Sequence, residues 1–281
     1  MNKIYILLPV HNRCELTRKF IESLASQTHR DFHLVVIDDG SSDGTAAMVA
    51  DVCPQATIIR GDGHWWWAGC LQQGYRWLLD QNTKADDFVL LINDDTEFNP
   101  DFFRKALDVL NQGQKLLAFA SCYEVGTKKK LDSGVLVDWR RLWLPQANTP
   151  EEADCFSTRG LFLKVSDFFN LGGFFPHLLP HYLSDYEFTL RARKKGYQVV
   201  TDKDLVLSSI KNEVPQINFD ENSFGAFLRN YFSVKSRVNP FMWTSFVALS
   251  APWRWKIYCL LLVWINALLN ISKYFTYVKK Q

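Results

Sequence analysis

The chain lacks an unbroken apolar run of the ~20 residues that a membrane-spanning helix takes. Its longest such stretch, Ile257 to Leu269, has thirteen residues and contains Asn266. A secretion leader is not expected either, because Ile4 to Leu8 is too short for one and Pro9-Val10-His11-Asn12 continues into the fold. The six cysteines (Cys14, Cys53, Cys70, Cys122, Cys155 and Cys259) show no C-x-x-C spacing. That excludes the usual zinc frameworks and fits reduced thiols in a cytosolic protein. Excess charge of one sign is absent as well: 32 Lys and Arg against 30 Asp and Glu leave +2. A balance this even does not argue for nucleic acid as partner, and no DNA- or RNA-binding motif occurs. The basic run Lys128-Lys129-Lys130 reads as an exposed turn. There are no repeats and no low-complexity tracts. With 281 residues and 47% apolar content, one large domain with an appendage is expected.

What is present is a series of buried-type strands that end in polar residues. Ile4 to Leu8 stops at Pro9-Val10-His11-Asn12, Phe32 to Ile37 stops at Asp38-Asp39-Gly40-Ser41-Ser42-Asp43-Gly44, and Phe88 to Ile92 stops at Asn93-Asp94-Asp95. Near-continuous apolar strands alternating with helical segments predict an α/β fold with a mostly parallel sheet covered on both faces. The first helix is predicted over Cys14 to Gln27, with Leu16, Phe20, Ile21 and Leu24 as its buried stripe. The second is predicted over Thr45 to Val52, capped by Asp43. The polar tips then share one sheet edge, where open α/β sheets bind ligands. Carboxylates at a strand tip suit a hard divalent cation that completes its shell with water and phosphates. An ordinary polar turn is the plain alternative.

The ordered set Pro9-x-His11-Asn12, Val36-Ile37-Asp38-Asp39-Gly40-Ser41-Ser42-Asp43-Gly44-Thr45 and Asn93-Asp94-Asp95 resembles an inverting family 2 glycosyltransferase of the GT-A fold, of the bacterial surface-polysaccharide type. Trp66-Trp67-Ala68-Gly69 and Ser184-Asp185-Tyr186-Glu187-Phe188-x-x-Arg191-Ala192-x-x-x-Gly196-Tyr197 extend the resemblance over about residues 3 to 205. It implies a Rossmann-like nucleotide half at about 1–98, an acceptor half at about 99–211 and a helical extension at 212–281. It also implies Asp95 as ligand of Mg²⁺ or Mn²⁺, with Asp94 and Asn93 beside it. Asp39 would accept from a uracil or thymine imide, and Pro9, His11 and Asn12 would frame the base. His11 reads equally as a helix cap or a solvent-facing residue. Asp185 is implied as the base that deprotonates the acceptor hydroxyl; in isolation it reads as a helix N-cap.

Three parts of the family pattern are departed from, at four residues. Asn93 stands where many relatives have a carboxylate, Ser208 and Ser209 stand where a metal-binding His is common, and Ser184 replaces a further acid. A nucleotidyltransferase would need a glycine-rich basic loop after the first strand, and Pro9-Val10-His11-Asn12-Arg13 is not one.

Trp66, Trp67 and Gly69, with Arg159 and Glu187, are the expected donor- and acceptor-sugar residues. Adjacent indoles diverge, so at least one of Trp65, Trp66 and Trp67 lines a cleft or else the three plug the core. Arg191 and Arg193 read as solvated helix charges or phosphate-side neighbours. After Asn212 the chain turns aromatic and basic. Ile257 to Leu269 then reads as an interfacial helix at the cytoplasmic leaflet, or as one packed on the catalytic domain or a second subunit of a homo-oligomer. The expected activity is inverting transfer from a UDP- or dTDP-sugar to a lipid-linked glycan acceptor, in cell-surface polysaccharide or O-antigen assembly, by a protein peripheral to the inner face of the cell membrane. The competing expectation is a non-catalytic sugar-nucleotide or glycan-binding module.

Overall fold

A computed structural model describes residues 2–127, 129–210 and 223–278. Strand and helix alternate through β1 (Ile4–Val10), α1 (Cys14–Leu24), β2 (Phe32–Asp38), α2 (Thr45–Val52), β3 (Thr57–Arg60), α3 (Trp66–Leu79) and β4 (Phe88–Leu91). Next come β5 (Thr96–Phe98), α4 (Phe102–Leu110), β6 (Leu116–Phe119), β7 (Ser121–Glu124) and β8 (Lys130–Asp132). The body is completed by β9 (Leu161–Lys164), α5 (Val165–Leu171), α6 (Ser184–Lys194), β10 (Gln198–Val200) and β11 (Val206–Ser209). Helices α7 (Phe224–Tyr231), α8 (Pro240–Ser250) and α9 (Trp253–Val278) follow.

The main sheet has the order β10-β6-β9-β4-β1-β2-β3. All neighbours are parallel except β9, which runs antiparallel between β4 and β6. Successive side chains leave opposite faces of a strand. Ile4, Ile6 and Leu8 therefore join one core with Phe20, Phe102 and Phe103, and Tyr5 and Leu7 join another with Leu71, Phe168 and Phe188. Val10 pairs with Asp38 and Leu7 with Leu91, so the polar ends of β1, β2 and β4 meet along one edge.

A second sheet, β5-β11-β7-β8, was not legible in the sequence because its strands are only three or four residues long. It adjoins the first at two places. β5 starts at Thr96, directly after Asp95, and β7 follows β6 across Ala120, whose N–H donates to Gly160 O at 3.1 Å. The acidic tip therefore lies at the seam of two sheets.

Two boundaries differ from expectation. Helix α1 ends at Leu24, not Gln27, because the next amides bond three residues back (Gln27 N to Leu24 O, 3.2 Å). The fully buried Gln27 side chain instead donates to Asn99 O and accepts from Phe103 N. The apolar C-terminal segment belongs to a helix of 26 residues, not thirteen, about 39 Å long at ~1.5 Å per residue. Asn270 does not break it, since its amide donates to Tyr231 Oη at 3.3 Å. Within this helix Trp253–Tyr277 is long and apolar enough to cross a membrane, with mean hydropathy 1.5 and 17% burial. One of its faces, at Cys259, Val263, Ala267 and Tyr274, packs on α7, α8 and Trp139. Lys128 and the expected boundary at 211/212 lie outside the described residues; Lys129 is exposed and Lys130 opens β8.

Candidate active site

The edge is organised first by hydrogen bonds between loops. His11 Nδ1 donates to Asp39 O at 2.7 Å, which leaves Nε2 to accept from the Asn12 amide at 3.1 Å. Asn12, at φ +52°, accepts from Ser42 N and donates its own N–H to Ser41 Oγ. His11 thus ties the β1 tip to the β2 tip, while Pro9 sits inside β1 opposite Ile37. Asp43 accepts from Cys14 N with one oxygen and from Thr45 N with the other, holding the first turns of α1 and α2 together. The backbone cap of α2 is Gly44, at φ +87°.

Asp39 is buried, and its carboxylate accepts from the backbone N–H groups of Gly63, Trp65 and Trp66 at 2.9 to 3.2 Å. The sequence expectation had this carboxylate directed at a base imide. In the structure both oxygens are directed at the amides leading into α3. Gly61 makes room for this: a Cβ there would come within 2.7 Å of the Trp65 ring and 2.8 Å of Asp39 Oδ1. Gly61→Ala is accordingly expected to lower stability by about 1–3 kcal/mol, read as a shifted urea midpoint with unchanged slope.

At the β4 tip, Asn93 is half-buried and Asp94 and Asp95 are buried. Asp94 is committed inside the protein, to Arg13 Nη1 at 2.6 Å and Thr17 Oγ1 at 3.0 Å. Burial pushes its carboxyl up and the Arg13 guanidinium pulls it back. Asp95 lies 3.7 Å from the same Arg13 nitrogen. From the other side Arg159 reaches Cys122 Sγ at 3.9 Å and Ser209 Oγ at 3.4 Å. Its burial opposes its charge, and Asp95, Cys122 and Asp132 more than restore it. No group of three His, Cys, Asp or Glu able to hold a metal occurs among the described residues. This donor set fits a divalent ion carried by the Asp95 carboxylate and a ligand's phosphates, not one caged by protein.

The acidic helix α6 starts at Ser184, and its cap residue is Leu183 in the left-handed region at φ +69°. Asp185 is therefore in the first turn and not the N-cap. Burial pushes its carboxyl up to about 7; Tyr186 N–H and Arg159 pull the other way, and Asp132 adds to the rise. Asp132 is itself held by Ser157 Oγ at 2.5 Å and Gly134 N at 2.8 Å. Arg159 thus lies in the field of both Asp95 and Asp185, which links the β4 tip to the head of α6.

Glu187 is placed differently from the expectation that it contacts sugar. It is 3% exposed and forms a two-pronged pair with Arg191, Nε–Oε1 at 2.9 Å and Nη2–Oε2 at 3.0 Å. Arg191 also donates to Leu171 O and Gly173 O, so it closes the Gly172-Gly173 turn and is no solvated charge. Arg193 likewise donates to Ala153 O and Asp154 O.

Of the three indoles, Trp65 and Trp67 pack on the second core, and Trp67 Nε1 donates to Thr158 Oγ1 at 3.0 Å. Gly69, buried, lets α3 pass Trp65: its Cβ would meet that side chain at 2.9 Å. Trp66, at φ +55°, instead faces His181, with ring centres 5.7 Å apart. Arg13, Asp132 and His181 were missed in the sequence. Arg13 adjoins a motif and was findable there; Asp132 and His181 carry no local signal.

A doubly covered, mostly parallel sheet with an acidic tip at one edge places the chain among α/β proteins that bind ligands at the carboxyl ends of their strands. The model of Glycosyl transferase family 2 matches residues 5–169, and the chain belongs to that family. An uncharacterised glycosyltransferase of Haemophilus influenzae is 28% identical over 111 residues, covering 40% of this chain and 35% of that protein. One of Rickettsia felis is 36% identical over 58 residues, 21% of this chain and 10% of its own length. The chain thus matches about a tenth to a third of the length of these curated relatives. The S. aureus TarS 1-349 complex with UDP-GlcNAc superposes with a TM-score of 0.62 at 16% identity, covering 100% of this chain and 93% of that one. The mannosyltransferase PcManGT of Pyrobaculum calidifontis, with GDP-Man and Mn²⁺, gives 0.55 at 16% identity and covers 98% and 83%. GalNAc-T7 with UDP, GalNAc and Mn²⁺ gives 0.60 at 13% identity, covering 89% and 52%. These likenesses carry the GT-A fold.

Proposed function

We propose that the chain is an inverting glycosyltransferase that moves a sugar from a UDP- or dTDP-sugar to a glycan acceptor, lipid-linked, in cell-surface polysaccharide or O-antigen assembly. The observation that carries this reading is the half-buried Asp185 carboxyl, raised by burial to about 7 and lying in the field of Arg159, whose charge also acts on Asp95. A base must be near its working pH to take a proton efficiently. Asp185 removes the proton of the acceptor hydroxyl as its oxygen bonds to the anomeric carbon; the bond to the nucleoside diphosphate breaks on the opposite face, which inverts the centre. Arg13 and Arg159 are fixed cations flanking the place where leaving-group charge gathers. Mg²⁺ or Mn²⁺, held through Asp95, would neutralise part of that charge when bound. Asn93 offers its amide to ribose or phosphate, and His11, Asn12 and Asp39 fix the loops that receive the base.

The C-terminal extension supports peripheral binding at the inner membrane face. Helix α9 is seated on the body from Cys259 to Tyr274, and its other face exposes Ile257, Leu261, Ile265 and Leu268. A helix so seated lies along the protein and offers an apolar stripe to a bilayer surface.

The test is nucleotide release. UDP- and dTDP-sugars incubated with the protein and Mn²⁺ are expected to yield UDP or TDP, with chelation suppressing release. Binding of the nucleotides without turnover across a full donor panel would leave only the binding-module reading.

A further inference from the structure

The segment from Phe232 to Asn239 joins α7 to α8 and brings two cations to the head of α6. Lys235 Nζ lies 5.9 Å from the Trp66 ring centre, and the Arg237 guanidinium lies 5.5 Å from that of Tyr182. Both are exposed, and neither has an ion pair with another described residue. The segment is braced: Asn239 Nδ2 donates to Phe232 O and Ser233 O at 2.7 and 3.1 Å, and Trp243 Nε1 donates to Arg237 O at 2.9 Å. Between the cations stands His181, 4.5 Å from Tyr182 and 5.7 Å from Trp66 ring to ring. Its Nδ1 is buried and has no hydrogen-bond partner among the described residues. A buried ring nitrogen left this way costs about 1–3 kcal/mol until a polar group meets it.

The surrounding composition points to one kind of ligand. Residues 223–278 include Arg229, Lys235, Arg237, Arg254, Lys256 and Lys273, and no Asp or Glu. The same stretch presents the apolar outer face of α9, with Leu261 62%, Leu268 67% and Ile257 76% exposed. Positive charge held on Trp66 and Tyr182, ahead of α6, in a C-terminal stretch that also exposes an apolar helix face, suits a molecule with an anionic centre and a hydrocarbon tail.

We propose that Lys235 and Arg237 form a subsite for the phosphate or diphosphate linkage of a membrane-anchored acceptor, whose sugar lies on Trp66 within reach of Asp185. This rests on the glycosyl-transfer reading above and names its acceptor class. Aromatic faces and guanidinium groups complement a sugar ring and a phosphate respectively.

The probe is geranylgeranyl diphosphate in phosphatidylcholine vesicles, scored by co-sedimentation of the full chain. Wild type is expected to bind these vesicles, and Lys235→Ala/Arg237→Ala to bind at least tenfold more weakly, as loss of one charge-assisted bond requires. Arg237→Gln keeps side-chain bulk, and a loss there tracks the charge. UDP affinity is expected to be equal in all variants. Equal vesicle binding by wild type and double variant overturns the proposal. So does a parallel loss of UDP affinity, which would give the cations to the donor. A loss of the same size on phosphatidylglycerol vesicles lacking the diphosphate overturns it too, by reducing it to bulk charge. Inorganic pyrophosphate as strong as the lipid would place a free anion there and remove the lipid link. Absence of UDP binding in wild type, with vesicle binding intact and sensitive to the variants, sinks the transfer reading and leaves the subsite standing.

Discussion

Asp185→Asn is expected to reduce sugar transfer by at least 10³-fold, within the ~10²–10⁴ that a positioned general base contributes, while UDP or dTDP affinity stays within about twofold. The substitution keeps the shape of the side chain and removes only its ability to accept a proton. Because burial lifts this carboxyl to about 7, wild-type kcat/KM should fall tenfold for each pH step below that value and level off above it. The residual activity of the variant should lack that limb. The same titration has a stability consequence of opposite sign. A carboxyl whose native pKa exceeds its unfolded value stabilises the fold while protonated, and that contribution is lost as pH rises through about 7. Asp185→Asn, which cannot ionise, should therefore be more stable than wild type at pH 9, on the order of 2 kcal/mol after allowance for screening at its exposed edge. At pH 4 the difference should nearly vanish. A variant that loses transfer and gains high-pH stability has a base at this position; unchanged turnover would remove Asp185 from the reaction.

The second large effect is on folding. Glu187→Ala should destabilise the protein by about 3–5 kcal/mol, because Arg191, with its side chain 15% exposed, would be left without its counter-charge. Arg191 stacks on Phe175 and Phe188 at 4.8 and 5.3 Å and closes the Gly172-Gly173 turn, so the loss should spread to the α5–α6 connection. Glu187→Met/Arg191→Met should recover most of the stability, as replacing a buried ion pair by apolar groups often does. Denaturant midpoints of the single and double variants decide this. If Glu187 touches substrate, Glu187→Gln will lose activity while keeping its stability; retention of both identifies the pair as structural.

The sequence carried the N-terminal half far, because its signals are local. Apolar runs of four to seven residues ending in polar clusters placed β1, β2 and β4 within two or three residues, and Leu16, Phe20, Ile21 and Leu24 placed the buried stripe of α1. The second sheet escaped because three- and four-residue strands have no room to display a period. Arg191 looked like a surface helix charge and Glu187 like a sugar contact, and only packing against the end of α5 buried the pair. Asp39 and Asp94 were identified as acids of the site. Their partners, three backbone amides in one case and Arg13 with Thr17 in the other, come from segments 24 to 81 residues distant.

The residues themselves thus determined the kind of fold, the edge on which its chemistry gathers and the acids placed there, since strand burial and side-chain charge are properties of short segments. Tertiary structure decided which acids are committed to partners inside the protein. Proximity of Arg13 to Asp94, of Asp132 and Arg159 to Asp185, and of Lys235 to Trp66 depends on how two sheets and a C-terminal helical unit meet, and electrostatic energy depends on those distances and on burial, which no stretch of chain encodes alone.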